Sequence, residues 1–211
     1  LSRGLSQSGF VVDAAADAGA DAVKFQTFTA ERLVTPKAPK ADYQAAVTDA
    51  AESQSAMLRK LELSREAHVR LFEYAGRRGI TFLSTPFDEQ SADLLDELGV
   101  PLFKIASGEI TNLPLLEHVA RKRKPMIVST GMSTLEEVGE AVRVIQKAGC
   151  PALTLLHCTS NYPADPAESN LNAMITMRQA FDLPVGYSDH TPGIEVAVAS
   201  VALGASVLEK H

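Results

Sequence analysis

ELGVPLFKIAS (residues 97–107) holds the reading that decides the fold. The polar end of a helix is followed by Gly99, in the position just past a helix where a left-handed residue is wanted. A short turn leads into an apolar run, LFKIAS, that carries a lysine in its middle and ends in a serine. The same phrase recurs along the chain as DAGADAV (17–23), RRGITF (77–82), KAGCPAL (147–153) and ALGASVL (202–208). Each is one event: helix, glycine, turn, buried strand. Working outward, period-two and helical spacing predict strands at 22–28, 80–86, 102–107, 125–130, 153–159, 184–189 and 205–210. Helices are predicted near 9–18, 64–78, 88–98, 112–122, 133–148, 168–181 and 193–203. Ser64 with Glu66, and Ser133-Thr134 with Glu136-Glu137, mark two helix starts, because hydroxyls cap free N–H groups and acids suit the positive end of the dipole.

Repeated β-α units require parallel strands joined by right-handed crossovers. Two α/β architectures satisfy that, an open doubly wound sheet and a closed (β/α)8 TIM barrel. No glycine-rich phosphate fingerprint follows the first strand, which weakens the dinucleotide-binding version. Nearly every strand ends in polar side chains: Lys24 and Gln26, Ser84 and Thr85, Lys104 and Ser107, Ser129, Thr159, Ser188 to His190, Glu209 and His211. A polar crown at the carboxyl ends of all strands is the active-site layout of a barrel. Seven strands are counted, so the expectation is an incomplete barrel over 1–211, lacking a first strand and a last helix. One long interruption, 29–63, contains Pro36, Pro39 and a polar stretch from Gln44 to Gln54. Long loops at the catalytic end serve as lids or substrate walls.

Composition narrows the function. Hydrophobic residues at 45% and charged residues at 22% describe a globular chain rather than a disordered one. A net charge of −6 offers nothing to replace phosphate counterions, which argues against nucleic acid as a partner. The one basic block, Arg121 to Lys124, falls between a helix and a strand and reads as a solvated turn. Cys150 and Cys158 form neither a metal-cluster spacing nor a disulfide framework, and a reducing cytoplasm is the natural setting. No apolar stretch reaches a membrane span, and the first ten residues lack a signal-peptide core.

Several residues can carry chemistry. His190 and His211 end consecutive strands; neutral imidazoles ligate divalent transition metals, the alternative being two separate rim histidines bonded to backbone. Asp189 and Glu209 stand beside them as supporting groups. Lys24 and Lys104 lie within strands, and a buried lysine needs an anion. The anion is a phosphate or carboxylate substrate, or a neighbouring glutamate. Thr85, Ser107, Ser129, Ser160 and Ser188 are short donors able to share phosphate oxygens, though each alone is as readily a turn former. Glu109 is placed to act as a general base for water. His157 and Cys158 are adjacent on a strand and face apart, which excludes a Cys-His nucleophile; His157 reads as a core histidine.

Eight segments together resemble the sialic acid synthase family: KFQTF (24–28), ESQ (52–54), LSTPFD (83–88), KIASGEITNLPLL (104–116), STGMSTLEE (129–137), LLHCTSNYP (155–163), GYSDHTPG (186–193) and LEKH (208–211). The resemblance implies a metal-dependent condensation of phosphoenolpyruvate with an N-acylated hexosamine, typically N-acetylmannosamine, with cleavage of the phosphoenolpyruvate C–O bond. By motif, His190 and His211 would hold Mn²⁺, with Mg²⁺ or Co²⁺ as alternatives. Lys104, Ser107, Ser129, Ser160, Tyr162, Ser188 and Thr85 would bind phosphoenolpyruvate, Lys24 and Gln26 would flank the substrates, and Glu109 would handle the attacking water. Legionaminate and pseudaminate synthases share the pattern with a 6-deoxy diacetamido sugar; ESQ and YSDHT stand closer to neuraminate and legionaminate enzymes. Family members are cytoplasmic homodimers with a C-terminal antifreeze-like domain, and that domain and the Asn-His-Asn-Gly-like first turn are missing from these residues. The rival readings are a Schiff-base aldolase using Lys24 or Lys104 and an inactive fragment that binds a sugar acid or a partner.

Overall fold

A computed structural model describes residues 3–35, 38–40 and 52–211. The expected polar stretch of the long interruption falls mostly outside the described residues, as does Pro36. The chain divides into two compact units, 1–101 and 102–211.

The first unit pairs β1 (Ala22–Thr27) with β2 (Thr81–Pro86) in parallel. Around them stand α1 (Arg3–Asp17), α2 (Ala30–Leu33), α3 (Gln54–Arg59), α4 (Arg65–Arg77) and α5 (Glu89–Leu98). Phe25 stacks on Phe82 across the pair at 5.4 Å, and Phe72 of α4 packs edge-on to Phe82. The interruption is not structureless at its ends. Phe28, Ala30, Met57 and Leu58 bury together, with Leu33, Val34 and Phe87 against them, so α2 and α3 form because their apolar residues have a shared core. Helix starts fall where capping chemistry places them: Ser64 accepts from Ala67 N at 3.2 Å, and Asp88 accepts from Ser91 N at 2.8 Å.

The second unit is a five-stranded sheet, all parallel, in sequence order: β3 (Phe103–Ile105), β4 (Met126–Ser129), β5 (Leu153–Cys158), β6 (Val185–Asp189) and β7 (Leu208–Lys210). The connections are α6 (Leu113–Ala120), α7 (Leu135–Lys147), α8 (Asn172–Phe181) and α9 (Glu195–Ala202). Phe103, Ile105, Val128, Leu155, Leu156, Val185 and Tyr187 are at most 1% exposed; strands buried on both faces read as continuous apolar runs, as here. Thr134 and Glu137 close a full capping box on α7. The basic block is a turn after α6, with Arg123 in the left-handed region at φ 55°.

Several boundaries differ from the sequence expectation: α1 begins at Arg3 rather than 9, and β7 at Leu208 rather than 205. β3 ends at Ile105, and Ser107 to Glu109 form a tight 3₁₀ turn. α8 begins at Asn172 rather than 168, because Pro166–Glu168 make a separate 3₁₀ turn and Asn170 takes φ 39°. Among the described residues, no helix is long and apolar enough to cross a membrane.

Candidate active site

The strand ends of the second unit bring together most of the singled-out polar residues. Lys104 is 4% exposed, and its ammonium donates to Ser129 Oγ at 2.7 Å and to the Ile105 carbonyl at 3.1 Å. The Glu209 carboxylate lies 3.5 Å from it. Of the two sequence alternatives for a buried lysine, the glutamate neighbour is present, and the Ser129 hydroxyl stands beside the same ammonium at the strand end.

His190 and His211 converge, with ring centroids 4.6 Å apart and edge-to-face. The register explains it. Ser188 pairs with Glu209 and Asp189 with Lys210, so the next positions of the two parallel strands carry the two imidazoles side by side. Tyr162 stacks on His190 at 4.0 Å and meets His211 edge-on at 5.7 Å.

Proton counting assigns the ring nitrogens. His190 Nδ1 lies 2.6 Å from the Thr159 carbonyl, which only accepts, so Nδ1 carries the proton. Ser188 donates its single proton to Glu209 Oε1 at 2.7 Å, leaving the His190 Nε2 lone pair, 3.3 Å from Ser188 Oγ, without that donor. Burial holds the His190 imidazole below its ordinary pKa, and the Lys104 ammonium acts the same way; the neutral form is the metal-binding one. His211 Nε2 sits 3.2 Å from Glu209 Oε1. Among the described residues, no group of three His, Cys, Asp or Glu side chains is arranged to hold a metal. What the described residues could offer an ion at this point is the pair of imidazoles, His190 and His211.

A second cluster lies at the ends of β4 and β5. Gly131 N donates to Ser107 Oγ at 2.9 Å, and Ser107 Oγ lies 3.1 Å from Cys158 Sγ. A methyl on Gly131 would overlap Ser160 Oγ and crowd Cys158 Sγ and Ser107 Oγ at 2.8 and 3.0 Å. Gly131 therefore leaves no room for a side chain within this cluster, a feature the sequence reading did not single out; the signal was a glycine directly after a strand-end Ser-Thr. Cys158 faces this cluster as a packing and hydrogen-bonding partner, apart from His157, whose Nε2 donates to the Ser169 carbonyl at 2.8 Å. That is the satisfied histidine expected. Glu109 is half-buried in its turn, its Oε2 accepting from Asn112 Nδ2 at 2.7 Å.

Lys24, Gln26 and Thr85 belong to the first unit and are described there. Lys24 is half-buried and Gln26 exposed on β1, and Gln26 is the register partner of Thr85. The Thr85 hydroxyl is buried, 2% exposed, without a hydrogen-bond partner. Such an orphan costs about 1–3 kcal/mol, which a bound acceptor would offset. Sequence reading also missed His68, 1% exposed, which bridges Thr27 Oγ1 at 2.8 Å and the Ser64 carbonyl at 2.9 Å.

A cavity of about 400 Å³ opens beside α7 and α8, lined by residues that include Thr130, His157, Cys158, Asn170 and Met177. No lining side chain is charged, so it is a poor home for an anion, and the lysine and the histidine pair lie outside its lining.

The sequence profile described as the NeuB family matches residues 11–211. The chain is 53% identical over 203 residues to an N,N'-diacetyllegionaminic acid synthase of Campylobacter jejuni, covering 95% of this chain and 61% of that protein. It is 52% identical over 205 residues to the N,N'-diacetyllegionaminic acid synthase of Legionella pneumophila, covering 95% of this chain and 58% of that one. It thus spans about 60% of the length of these curated relatives. The crystal structure of an N-acetylneuraminic acid synthetase from Leptospira borgpetersenii, in complex with citrate, superposes with a TM-score of 0.86 at 35% identity, covering 98% of this chain and 67% of that one. Strand-end chemistry, parallel β-α order and a profile match across nearly the whole chain agree: this protein belongs to the NeuB family.

Proposed function

We propose that this chain is the main part of a barrel-shaped synthase that condenses phosphoenolpyruvate with an N-acylated hexosamine and water, giving a nonulosonic acid and phosphate. The observation that carries this reading is the convergence of His190 and His211 beside a buried lysine–serine pair, Lys104 and Ser129.

The roles follow from the chemistry. Lys104 supplies positive charge, and Ser107, Ser129, Ser160 and Ser188 supply short donors, to an enol ester carrying phosphate and carboxylate. Tyr162, stacked on His190, borders the same pocket. By motif, Lys24, Gln26 and Thr85 of the first unit would also contact the substrates. The enol carbon of phosphoenolpyruvate forms a bond to the aldehyde carbon of the open-chain sugar, and positive charge develops at C2. Water adds there as Glu109 takes one of its protons, the former aldehyde oxygen takes up a proton to become a hydroxyl, and the new C2 hydroxyl gives up its remaining proton as the C–O bond breaks with its electron pair going to phosphate, which leaves a ketone. A divalent ion on His190 and His211, Mn²⁺ first and Mg²⁺ or Co²⁺ as alternatives, would supply the Lewis acid that polarises the aldehyde.

The working enzyme is taken to be a homodimer in the cytoplasm. The sugar is an N-acetylmannosamine-type hexosamine or its 6-deoxy diacetamido relative; identity above 50% to two diacetyllegionaminic acid synthases favours the latter. The test is phosphate release from phosphoenolpyruvate by the full gene product, with each sugar in turn, with Mn²⁺ and with chelator. Turnover that needs metal and is lost in His190→Ala and His211→Ala is expected. Metal-independent turnover, or borohydride trapping of a lysine adduct, would overturn the mechanism.

A further inference from the structure

We propose that Asp189 and Lys210 are positioning residues that set the separation of the two imidazoles, and so the affinity for the divalent ion. This rests on His190 and His211 being the ligands.

The strand that carries His211 is short. β7 has three residues and pairs with β6. At its start, Ser206 N donates to the Val185 carbonyl at 3.0 Å and Tyr187 N to the Val207 carbonyl at 2.9 Å. At its end, His211 N donates to the Asp189 carbonyl at 3.3 Å. Side chains add to this ladder. Asp189 is fully buried. Its Oδ1 accepts from Thr191 N at 2.9 Å and Thr191 Oγ1 at 2.7 Å, and its Oδ2 from Lys210 Nζ at 2.9 Å. The Lys210 ammonium also donates to the Thr191 carbonyl. The turn that presents His190 is thereby tied, on both sides of that residue, to the residue preceding His211.

Neighbouring strand residues face apart. The ion pair therefore lies on the opposite face from the imidazoles and acts on them through the backbone. Register alone brings two side chains near one another. A shared ion asks more, since its two nitrogens must sit at about 2.0–2.2 Å from one point, and a strand end free to splay would not hold that.

The experiment measures Mn²⁺ binding to the full protein by electron paramagnetic resonance of the free ion, with phosphoenolpyruvate binding in chelator and thermal unfolding as parallel readouts. Asp189→Asn is expected to weaken Mn²⁺ binding roughly 10–100-fold, with phosphoenolpyruvate affinity in chelator kept within about twofold. Lys210→Met, at a more exposed position, should move the same way, Lys210→Arg should retain most of the affinity, and the double variant should be no worse than Asp189→Asn alone, as one shared device requires. Wild-type Mn²⁺ affinity in both Asp189→Asn and Lys210→Met would overturn the proposal. So would equal losses of metal and phosphoenolpyruvate affinity that track the fall in melting temperature. Unchanged Mn²⁺ binding in His190→Ala and His211→Ala would instead sink the metal reading beneath it.

Discussion

Gly131→Ala tests the anion pocket most sharply. Gly131 is absent from the positive-φ positions, so alanine meets no backbone strain and the whole effect is crowding. The added methyl would lie 2.8 Å from Cys158 Sγ and 3.0 Å from Ser107 Oγ, and would overlap Ser160 Oγ. Ordinary contact is about 3.5–4.0 Å, so these atoms must retreat by roughly 0.5–1 Å or more. Relief costs about 1–3 kcal/mol of stability as overpacking. If Ser107 and Ser160 move off the substrate, two hydrogen bonds to a charged group go with them, at about 1.5–3 kcal/mol each. Taking the lower figure for both gives about 3 kcal/mol, or roughly 150-fold in the KM for phosphoenolpyruvate. Steady-state kinetics with the sugar saturating reads this directly, and a melting curve reads the stability cost. Gly108→Ala is the control, because a methyl there meets nothing within 4 Å; its KM should stay within about threefold of wild type. A Gly131→Ala enzyme with a KM for phosphoenolpyruvate that near to wild type would refute the pocket assignment.

Lys104→Met should lower kcat/KM by at least roughly 100-fold, since it removes a charge-assisted contact to the anion. Urea unfolding should show a loss of about 3 kcal/mol, because Glu209, 3.5 Å away, is left without that cation; wild-type kinetics would remove the lysine from the site. Stability should also fall as pH drops below about 6.5. Burial holds the His68 pKa down, outweighing its bond to the Ser64 carbonyl, so the folded state stays neutral where the unfolded state takes up a proton. The stabilising contribution is present above the unfolded value and is lost as pH falls toward the folded one, at up to about 1.4 kcal/mol per pH unit. Urea titrations at several pH values should show this slope reduced in His68→Gln, and an undiminished slope would refute the assignment.

The strand-and-helix order was legible because helix-ending glycines and buried apolar runs are local signals. All seven predicted strands occur, within a residue or two at most ends. β7 begins three residues later than expected, since 205–207 run alongside β6 before its register is established. The 29–63 interruption was less legible: α2 and α3 are too short to show a period, and they exist through the cluster around Phe28 and Met57. At the site, Lys104, His190 and His211 stood out because charge and imidazole are costly inside strands. Gly131 and Lys210 did not, because a small residue and a solvated-looking lysine carry no local signal of what lies across the strand; Asp189 was named beside the histidines, but not its partner.

Sequence by itself determined the α/β class, the parallel order and the residue types at the strand ends, since all three follow from spacing along one chain. Tertiary structure alone decided that Lys104 bonds Ser129 and neighbours Glu209, that His190 keeps an Nε2 lone pair, and that a methyl on Gly131 has no room. Those facts depend on which residue of the adjacent strand stands opposite. That is set by register, and register is settled by the packing of the whole sheet rather than by any one segment.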